Sequence, residues 1–254
     1  MTQAQRIDLN TERPLGAILA AAASLYRAYP LLFAVLALAV MAPFELIVLA
    51  VTGYGPLRHG HEDATARVVV LLLRSALIGP LISALHVHAV VKIGEGERPR
   101  LAAVAARGLQ VLPVVAAASI MSALGIGLGF LALVIPGILL ALRWAVVGQA
   151  AALENGGWLE AIHSSARLTK GLYGHVLALL FTIGLVTLAV GLVGGAIDVG
   201  STSGLASVTL GIAIDTLVAS FSALTLALLY FDLRARAGRP PPRPPEYQHL
   251  RDLD

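Results

Sequence analysis

Four ionisable side chains lie inside stretches of sequence that are otherwise almost entirely apolar: Glu45, Arg74, Arg143 and Asp215. Such groups are costly in hydrocarbon, and they usually pair with one another or serve a function, so these four are candidate functional residues. Glu45 and Arg74 are expected about 10 Å below the same membrane surface, at a rise of about 1.5 Å per residue. Arg143 and Asp215 form a second candidate pair.

Three interpretations of these side chains stay open at the level of sequence. In the first, the pairs neutralise each other and fix how the helices assemble. In the second, they line a polar cavity, open to the outer side, that serves a polar or charged ligand or proton movement. In the third, each side chain reaches toward water without a partner.

No other pattern in the sequence has the spacing of a catalytic, cofactor or metal site. Residues 59–63 include two histidines and two carboxylates that could bind zinc, but they lie in a glycine-flanked loop. His86 and His88 are two residues apart and point to different helix faces. The glycines of residues 125–129 favour close helix packing rather than dinucleotide binding. The sequence therefore predicts no catalytic residue, no cofactor and no metal.

The composition indicates that most of the chain is surrounded by lipid rather than by water. Of 254 residues, 57% are hydrophobic and 13% are charged, with a mean hydropathy of +0.83, whereas soluble domains carry about a quarter charged residues. The chain has no cysteine, which excludes disulfides and thiolate metal sites. The formal charge of +3 comes from basic residues beside the apolar stretches. Anionic lipid, and not nucleic acid, is therefore the expected partner.

Six apolar stretches are long enough to cross a bilayer, or nearly so, since a spanning helix needs about 20 residues. They are residues 31–52, 68–91, 112–135, 138–153, 176–197 and 205–231. Pro136-Gly137 separates the third from the fourth and predicts a tight hairpin. The predicted fold is an all-α, polytopic transmembrane helical bundle with six spans.

The basic residues predict the orientation of this bundle. Fourteen of them lie in the terminal segments and connections on one side, against Arg58 and Arg67 on the other. Because basic residues concentrate on the cytoplasmic side, both termini are expected in the cytosol and the location is expected to be the plasma (cytoplasmic) membrane.

Amphipathic segments precede three of the spans. Residues 15–29, 100–111 and 157–172 each place apolar side chains on one helix face and are predicted to lie on the cytosolic membrane surface. Each is followed by a helix breaker: Pro30, Pro113 and Gly174.

The two ends of the chain complete the predicted organisation. A cytosolic arm, residues 1–14, precedes the membrane domain of residues 15–236. The proline-rich tail, residues 237–254, is expected to be extended and disordered, or alternatively to be a docking peptide.

Three stretches carry a family resemblance. They are RPLGAILAAAASLYRAYPLL, IPGILLALRWAVVGQAAALENGGWLEAIHSSARLTKG and LLYFDLRAR. Together they resemble the glycerophosphodiester phosphodiesterase membrane domain group over roughly residues 13–236. The resemblance implies a six-span bundle with interfacial helices. It implies no hydrolase activity, because the family's hydrolase chemistry belongs to a separate soluble barrel, for which this chain has no room. The family's usual acidic-glycine sequence after the last span is replaced here by prolines.

The shared motif contains further candidate residues. Trp144 lies within a span beside Arg143, and Glu154 closes that span. Glu154 is expected to pair with Arg167 or Lys170 and so to hold the surface helix of residues 157–172 against the bundle. The alternative is that the basic residues form a site for a lipid headgroup.

The predicted function is therefore that of a non-enzymatic integral membrane scaffold, a lipid-organising module or a partner-binding module. Its expected partners are membrane lipids, anionic ones included, and either another membrane protein or a second copy of the chain. A small transporter or channel that uses the buried charges is the alternative. An intramembrane enzyme is the weakest of the three.

Overall fold

The computed structural model describes residues 7–53, 64–199 and 204–239, and within them the chain is helical and contains no strand. Within these residues there are ten α-helices, and one short π-helical segment lies between the third and the fourth. The helices are α1 (Leu15–Ala28), α2 (Pro30–Thr52), α3 (Ala64–Leu73), the π segment (Arg74–Ile78), α4 (Gly79–Gly94), α5 (Leu101–Ala132), α6 (Val134–Arg143), α7 (Val147–Leu153), α8 (Trp158–Leu168), α9 (Tyr173–Val199) and α10 (Gly204–Arg236).

Five helical stretches are long and apolar enough to cross a bilayer. They are Pro30–Thr52, Leu101–Ala132, Val134–Leu153, Tyr173–Gly194 and Val208–Arg236. Leu31, Val51 and Leu131 are each about four-fifths exposed on these helices, as side chains that face lipid are. The predicted class, a helical membrane bundle, is confirmed.

The predicted span at residues 68–91 corresponds to a helical run that changes its hydrogen bonding on the way. It consists of α3, the π segment and α4, and extends without a break from Ala64 to Gly94. Six predicted spans thus correspond to five long apolar stretches and this one composite run. The extra residue that a π turn inserts falls at Arg74, one of the four candidate residues.

Two predicted helix breaks are wrong in position. Pro113 lies inside the continuous helix α5, where residues 100–111 and 112–135 had been assigned to separate helices. An internal proline removes one hydrogen bond, and membrane helices tolerate that loss. The break between α5 and α6 falls at Leu133, where the backbone is extended, and Pro136 lies in the first turn of α6. There its missing N–H has no helical acceptor to lose.

The fourth predicted span, residues 138–153, is divided into two short helices. α6 ends at Arg143, the chain turns, and α7 begins at Val147. The turn that follows α8 is also displaced from its predicted breaker, Gly174. It falls at Gly171, which has a φ of 81° and so adopts the left-handed conformation that glycine accommodates.

Packing is uneven along the bundle. We call the end that holds residues 7–29, 92–101, 154–173 and 231–239 the basic end, and the opposite end the far end. The largest fully buried side chains lie in the half toward the basic end, and among them are Tyr230, Phe33, Phe231, Ile18 and Leu25. Toward the far end, α9 exposes Leu188, Leu192 and Val193 by more than half. The tightly packed half therefore positions most of the polar side chains described below.

Candidate functional site: charged clusters and a basic cavity

Arg74 joins two carboxylates in the half of the bundle toward the far end. Its Nη1 lies 3.6 Å from Oε1 of Glu45, and its Nη2 donates a 2.6 Å hydrogen bond to Oδ2 of Asp215. Glu45 is only 4% exposed, whereas the side chain of Arg74 is 37% exposed. The cluster connects α2, the π segment and α10, and carries two carboxylates for one guanidinium.

The predicted partnership of Arg143 with Asp215 is wrong, because Asp215 pairs with Arg74 and the side chain of Arg143 is exposed. Arg143 contributes through its main chain instead. The break after α6 frees its carbonyl oxygen, which accepts hydrogen bonds of 3.1 Å from both Ser165 Oγ and Thr169 Oγ1. The hydroxyl groups of α8 thereby hold that helix against the break.

Glu154 forms a network different from the predicted one. Its Oε1 accepts hydrogen bonds from Ser164 Oγ at 2.9 Å, Tyr230 Oη at 2.8 Å and Arg234 Nη1 at 3.0 Å. Arg234 also lies over the ring of Tyr230, 5.7 Å from its centroid. Glu154 therefore connects α8 and the last turns of α10, and its ionic partner is Arg234.

Arg167 and Lys170, the predicted partners of Glu154, lie elsewhere. Arg167 donates to Oε1 of Glu160 at 2.5 Å, with both side chains about half exposed. The hydrogen bond and charge of Arg167 hold the pKa of Glu160 below its usual value. Lys170 is exposed. Both cations are thus on the exposed surface, and the ionic partner of Glu154 is Arg234 instead.

Asp232, which the sequence did not single out, is the most completely surrounded carboxylate at the basic end. It is fully buried; its Oδ1 accepts from the Arg13 main-chain N–H at 2.6 Å, and its Oδ2 accepts from Arg236 Nε at 2.9 Å. Nε2 of His175 lies 3.1 Å from Oδ2, without hydrogen-bond geometry. The signal for this site in the sequence was the spacing of Asp232 and Arg236, which lie four residues apart in the LLYFDLRAR stretch and so share one helix face.

A cavity of about 530 Å³ opens at the basic end, between the last turn of α4 and the first turns of α5. The connection between the two helices turns at Gly96, whose φ is 79°. That turn brings the chain back over the start of α5. The residues that line the cavity are His88, Val91, Lys92, Glu97, Arg98, Arg100, Ala103, Val104 and Arg107.

Positive charge dominates the lining of this basic cavity. Four cationic side chains line it against one carboxylate, Glu97, which lies 3.2 Å from Lys92 Nζ. Arg98 and Arg100 are exposed, and Arg107 donates to Gln110 at 3.1 Å. Guanidinium groups present paired N–H donors that match the oxygens of a phosphate or carboxylate. The lining therefore presents groups that can pair with an anion.

The floor of the basic cavity is a histidine. His88 is 7% exposed, and its Nδ1 lies 2.7 Å from the carbonyl oxygen of Ala84. That oxygen can only accept, so Nδ1 carries a proton and Nε2 of the neutral ring is an acceptor, which leaves the donors for an anion to the cationic side chains. Sequence reasoning counted the four cations of this connection only as markers of orientation. The spacing of Arg100 and Arg107, seven residues apart on one helix face, was the available signal for a shared site.

His86 and Ser220 form the only contact in the described residues that has the geometry of a serine nucleophile and its base. Nε2 of His86 lies 2.8 Å from Ser220 Oγ, and Nδ1 lies 2.8 Å from the Ile82 carbonyl oxygen. Both side chains are fully buried, which leaves no access for a substrate. Ser220 also forms a hydrogen bond with Tyr26. Burial raises the pKa of Tyr26, and this hydrogen bond offsets only part of that rise. This arrangement serves packing between α4, α10 and α1.

The remaining predictions concern Trp144, metals and the tail. Trp144 covers Gly125, where an added Cβ would lie 2.5 Å from a ring carbon. In the part of the chain that the structure describes, no group of three or more histidine or carboxylate side chains could hold a metal. The candidate zinc loop, residues 59–63, and residues 240–254 of the tail lie outside the described residues.

No protein-family model, curated protein or solved structure matches this chain. The helices and their exposed apolar surfaces define a multi-pass helical membrane protein. The geometry of the sites is what bears on its function.

Proposed function

We propose that this chain is a non-enzymatic, lipid-organising protein of the plasma membrane that binds an anionic phospholipid headgroup in the basic cavity. The observation that carries the proposal is the set of four cationic side chains around one cavity of about 530 Å³. Basic pockets between membrane helices on the cytoplasmic side suit the phosphate groups of anionic lipids.

The position of the basic cavity favours a lipid over a soluble anion. Its wall includes the apolar side chains of Val91, Ala103 and Val104. On the adjoining helix α5, Leu101 and Leu109 are 42% and 60% exposed. A phospholipid would place its phosphate among the cations and its acyl chains along this apolar surface. A free phosphate ion would use only the cations.

Two sequence features support the location and the kind of protein. The excess of basic residues on one side favours a cytosolic position for the basic end, next to the anionic leaflet. The resemblance to the glycerophosphodiester phosphodiesterase membrane domain group favours a membrane module without hydrolase chemistry.

Arg167 and Lys170 take a lesser part in this proposal than the sequence suggested. Arg167 is already paired with Glu160 on the exposed face of α8. Lys170, just beyond the end of that helix, is exposed as well. Exposed basic residues attract the anionic surface in general, but they do not form a pocket around one headgroup. They are therefore the matched control for the basic cavity.

A transporter or channel is the second candidate, and the imbalance of the Glu45–Arg74–Asp215 cluster favours it. Two carboxylates share one guanidinium in a membrane-spanning region, and such groups mark ion pathways in many membrane proteins. A flux assay in liposomes, comparing the native chain with Glu45→Gln, separates this candidate from the first.

The test of the proposal is native mass spectrometry of the protein released from nanodiscs that contain equal amounts of anionic and zwitterionic phospholipid. The double variant Arg100→Gln/Arg107→Gln should lose about thirty-fold in affinity for the anionic lipid, at about 1 kcal/mol for each basic residue. The control Arg167→Gln/Lys170→Gln should retain the lipid. Equal retention in both double variants would contradict the proposal, and so would displacement of the bound lipid by inorganic phosphate alone.

A further inference from the structure

A groove within the membrane domain is separate from the basic cavity and from the charged clusters. α5 and α10 each pack against α4 and α7, and a space of about 380 Å³ lies between them. The half-buried side chains of Ser119 and Ile126 on α5, and of Ser222 and Leu226 on α10, face this space from opposite walls. We call it the lateral groove.

The lateral groove contains an amide group whose oxygen accepts no hydrogen bond from the part of the protein that the structure describes. Gln149 is 2% exposed, and its Nε2 donates a 2.7 Å hydrogen bond to Ser83 Oγ. Among the described residues, Oε1 of Gln149 has no donor. This oxygen is not one of the enclosed atoms that lack a partner, and Gln149 lines the groove. It is therefore free to accept a hydrogen bond from a molecule in the groove that supplies an N–H or O–H.

The rest of the lining defines what kind of molecule that is. No charged side chain lines the groove, and most of its wall is apolar. An ion would lose its hydration there without gaining a counterion, which excludes a charged ligand. The indole of Trp144 forms part of the wall and offers a flat apolar face. The ligand that fits is an uncharged, mostly apolar molecule with one hydrogen-bond donor.

We propose that the lateral groove binds an uncharged lipid alcohol from the bilayer, whose hydroxyl group donates to Oε1 of Gln149. The apolar part of the lipid lies along Ile126 and Leu226, and Trp144 packs against it. Because the groove lies between membrane-spanning helices, a molecule dissolved in the membrane reaches it directly. This function goes beyond the binding of anionic lipid in the basic cavity and uses none of the same residues.

The fluorescence emission of Trp144 can be used to test this proposal, because its indole forms part of the groove wall. The chain has two tryptophans, and Trp158→Phe removes the other one, which is 40% exposed on α8. In nanodiscs, dioctanoylglycerol should change the Trp144 emission saturably, whereas dioctanoyl phosphatidic acid should not. Gln149→Leu should weaken the response about tenfold, the worth of one neutral hydrogen bond. The control Gln110→Leu makes the same chemical change at an exposed site outside the groove and should leave the response intact.

Each alternative occupant gives a different result. A flat titration, or an equal response in Gln149→Leu, would overturn the proposal. So would a response accompanied by dissociation of a dimer in native mass spectrometry, because a helix of a second copy would then fill the groove. If Gln149→Leu does not fold, Ser122→Leu, which fills the groove from α5, should block binding. Arg100→Gln/Arg107→Gln should not alter the response, so that failure here and failure of the anionic-lipid proposal are distinguishable.

Discussion

The bundle contains two groups of charged residues that use the same chemistry in opposite ways. At the basic end, Glu154 and Asp232 are each surrounded by several donors, and the helices around them are tightly packed. Toward the far end, one guanidinium, that of Arg74, is divided between two carboxylates, and it is more than a third exposed. The neighbouring helix α2 exposes large apolar side chains there, among them Leu46, Ile47 and Val51.

The difference shows what each group stabilises. A carboxylate that accepts hydrogen bonds from several helices holds its neighbours in one geometry, so we call the basic end the platform of the bundle. Its networks join the arm at Arg13, the surface helix α8 and the last turns of α10. The basic cavity opens beside this platform, between α4 and α5. The far cluster connects three helical segments but leaves Oε1 of Glu45 without a hydrogen bond.

The largest predicted effect is at Asp232. Asp232→Ala leaves the Arg236 guanidinium and the Arg13 N–H without their acceptor in a fully buried position. The expected loss in the free energy of unfolding is about 3 kcal/mol, as for other buried pairs from which one partner is removed. Chemical denaturation in mixed micelles measures it. An effect no larger than that of Asp215→Ala, the matched change toward the far end, would remove the distinction between the two groups.

A smaller effect is expected at Arg74. Arg74→Gln leaves Glu45 and Asp215 as neighbouring carboxylates without a counterion, but the Arg74 side chain is 37% exposed, so this cluster is less enclosed than Asp232. We expect a loss of about 1 kcal/mol in the same denaturation experiment. The double variant Glu45→Gln/Arg74→Gln removes one negative charge and should recover part of that loss. Additive losses would show that the cluster is not one coupled unit.

The smallest effect is expected at Glu160 and Arg167, which form an exposed pair on α8. Arg167→Gln should leave the denaturation midpoint unchanged at neutral pH, because exposed ion pairs contribute little. The pKa of Glu160 is lowered in the folded protein, so any stabilisation exists above the ordinary carboxyl pKa and is lost as the pH falls through the lowered value. A clear shift of the denaturation midpoint at pH 7 would show that this exposed pair stabilises the fold, as the networks of the basic end do, and would contradict the prediction.

The sequence was sufficient to predict the class of the fold and most helix positions, because apolar length and the placement of basic residues depend on local composition. It was less reliable where a break depends on packing. Pro113 did not end α5, and the chain turned at Leu133 rather than at Pro136. Proline marks a weakness in a helix, but the neighbouring helices decide whether the helix ends there.

The partners of the charged residues could be predicted only in part. Glu45 and Arg74 were paired correctly from their similar depth. Depth alone could not tell that Asp215 faces the π segment while Arg143 faces outward. Glu154 joins Arg234, 80 residues along the chain, instead of its near neighbours on α8. Such pairings depend on which helices are adjacent and on their rotation, and neither follows from the order of the spans.

The central claim is that the basic cavity binds the headgroup of an anionic phospholipid. A photoreactive phosphatidic acid incorporated into nanodiscs tests this claim most directly. After irradiation, peptide mapping by mass spectrometry locates the residues that carry the lipid. The account predicts labelling concentrated in residues 88–109, which include the cavity lining and the apolar start of α5, and a strong reduction in Arg100→Gln/Arg107→Gln. Labelling concentrated around Arg167 and Lys170, at and just beyond the end of α8, or spread evenly over all spans, would contradict it.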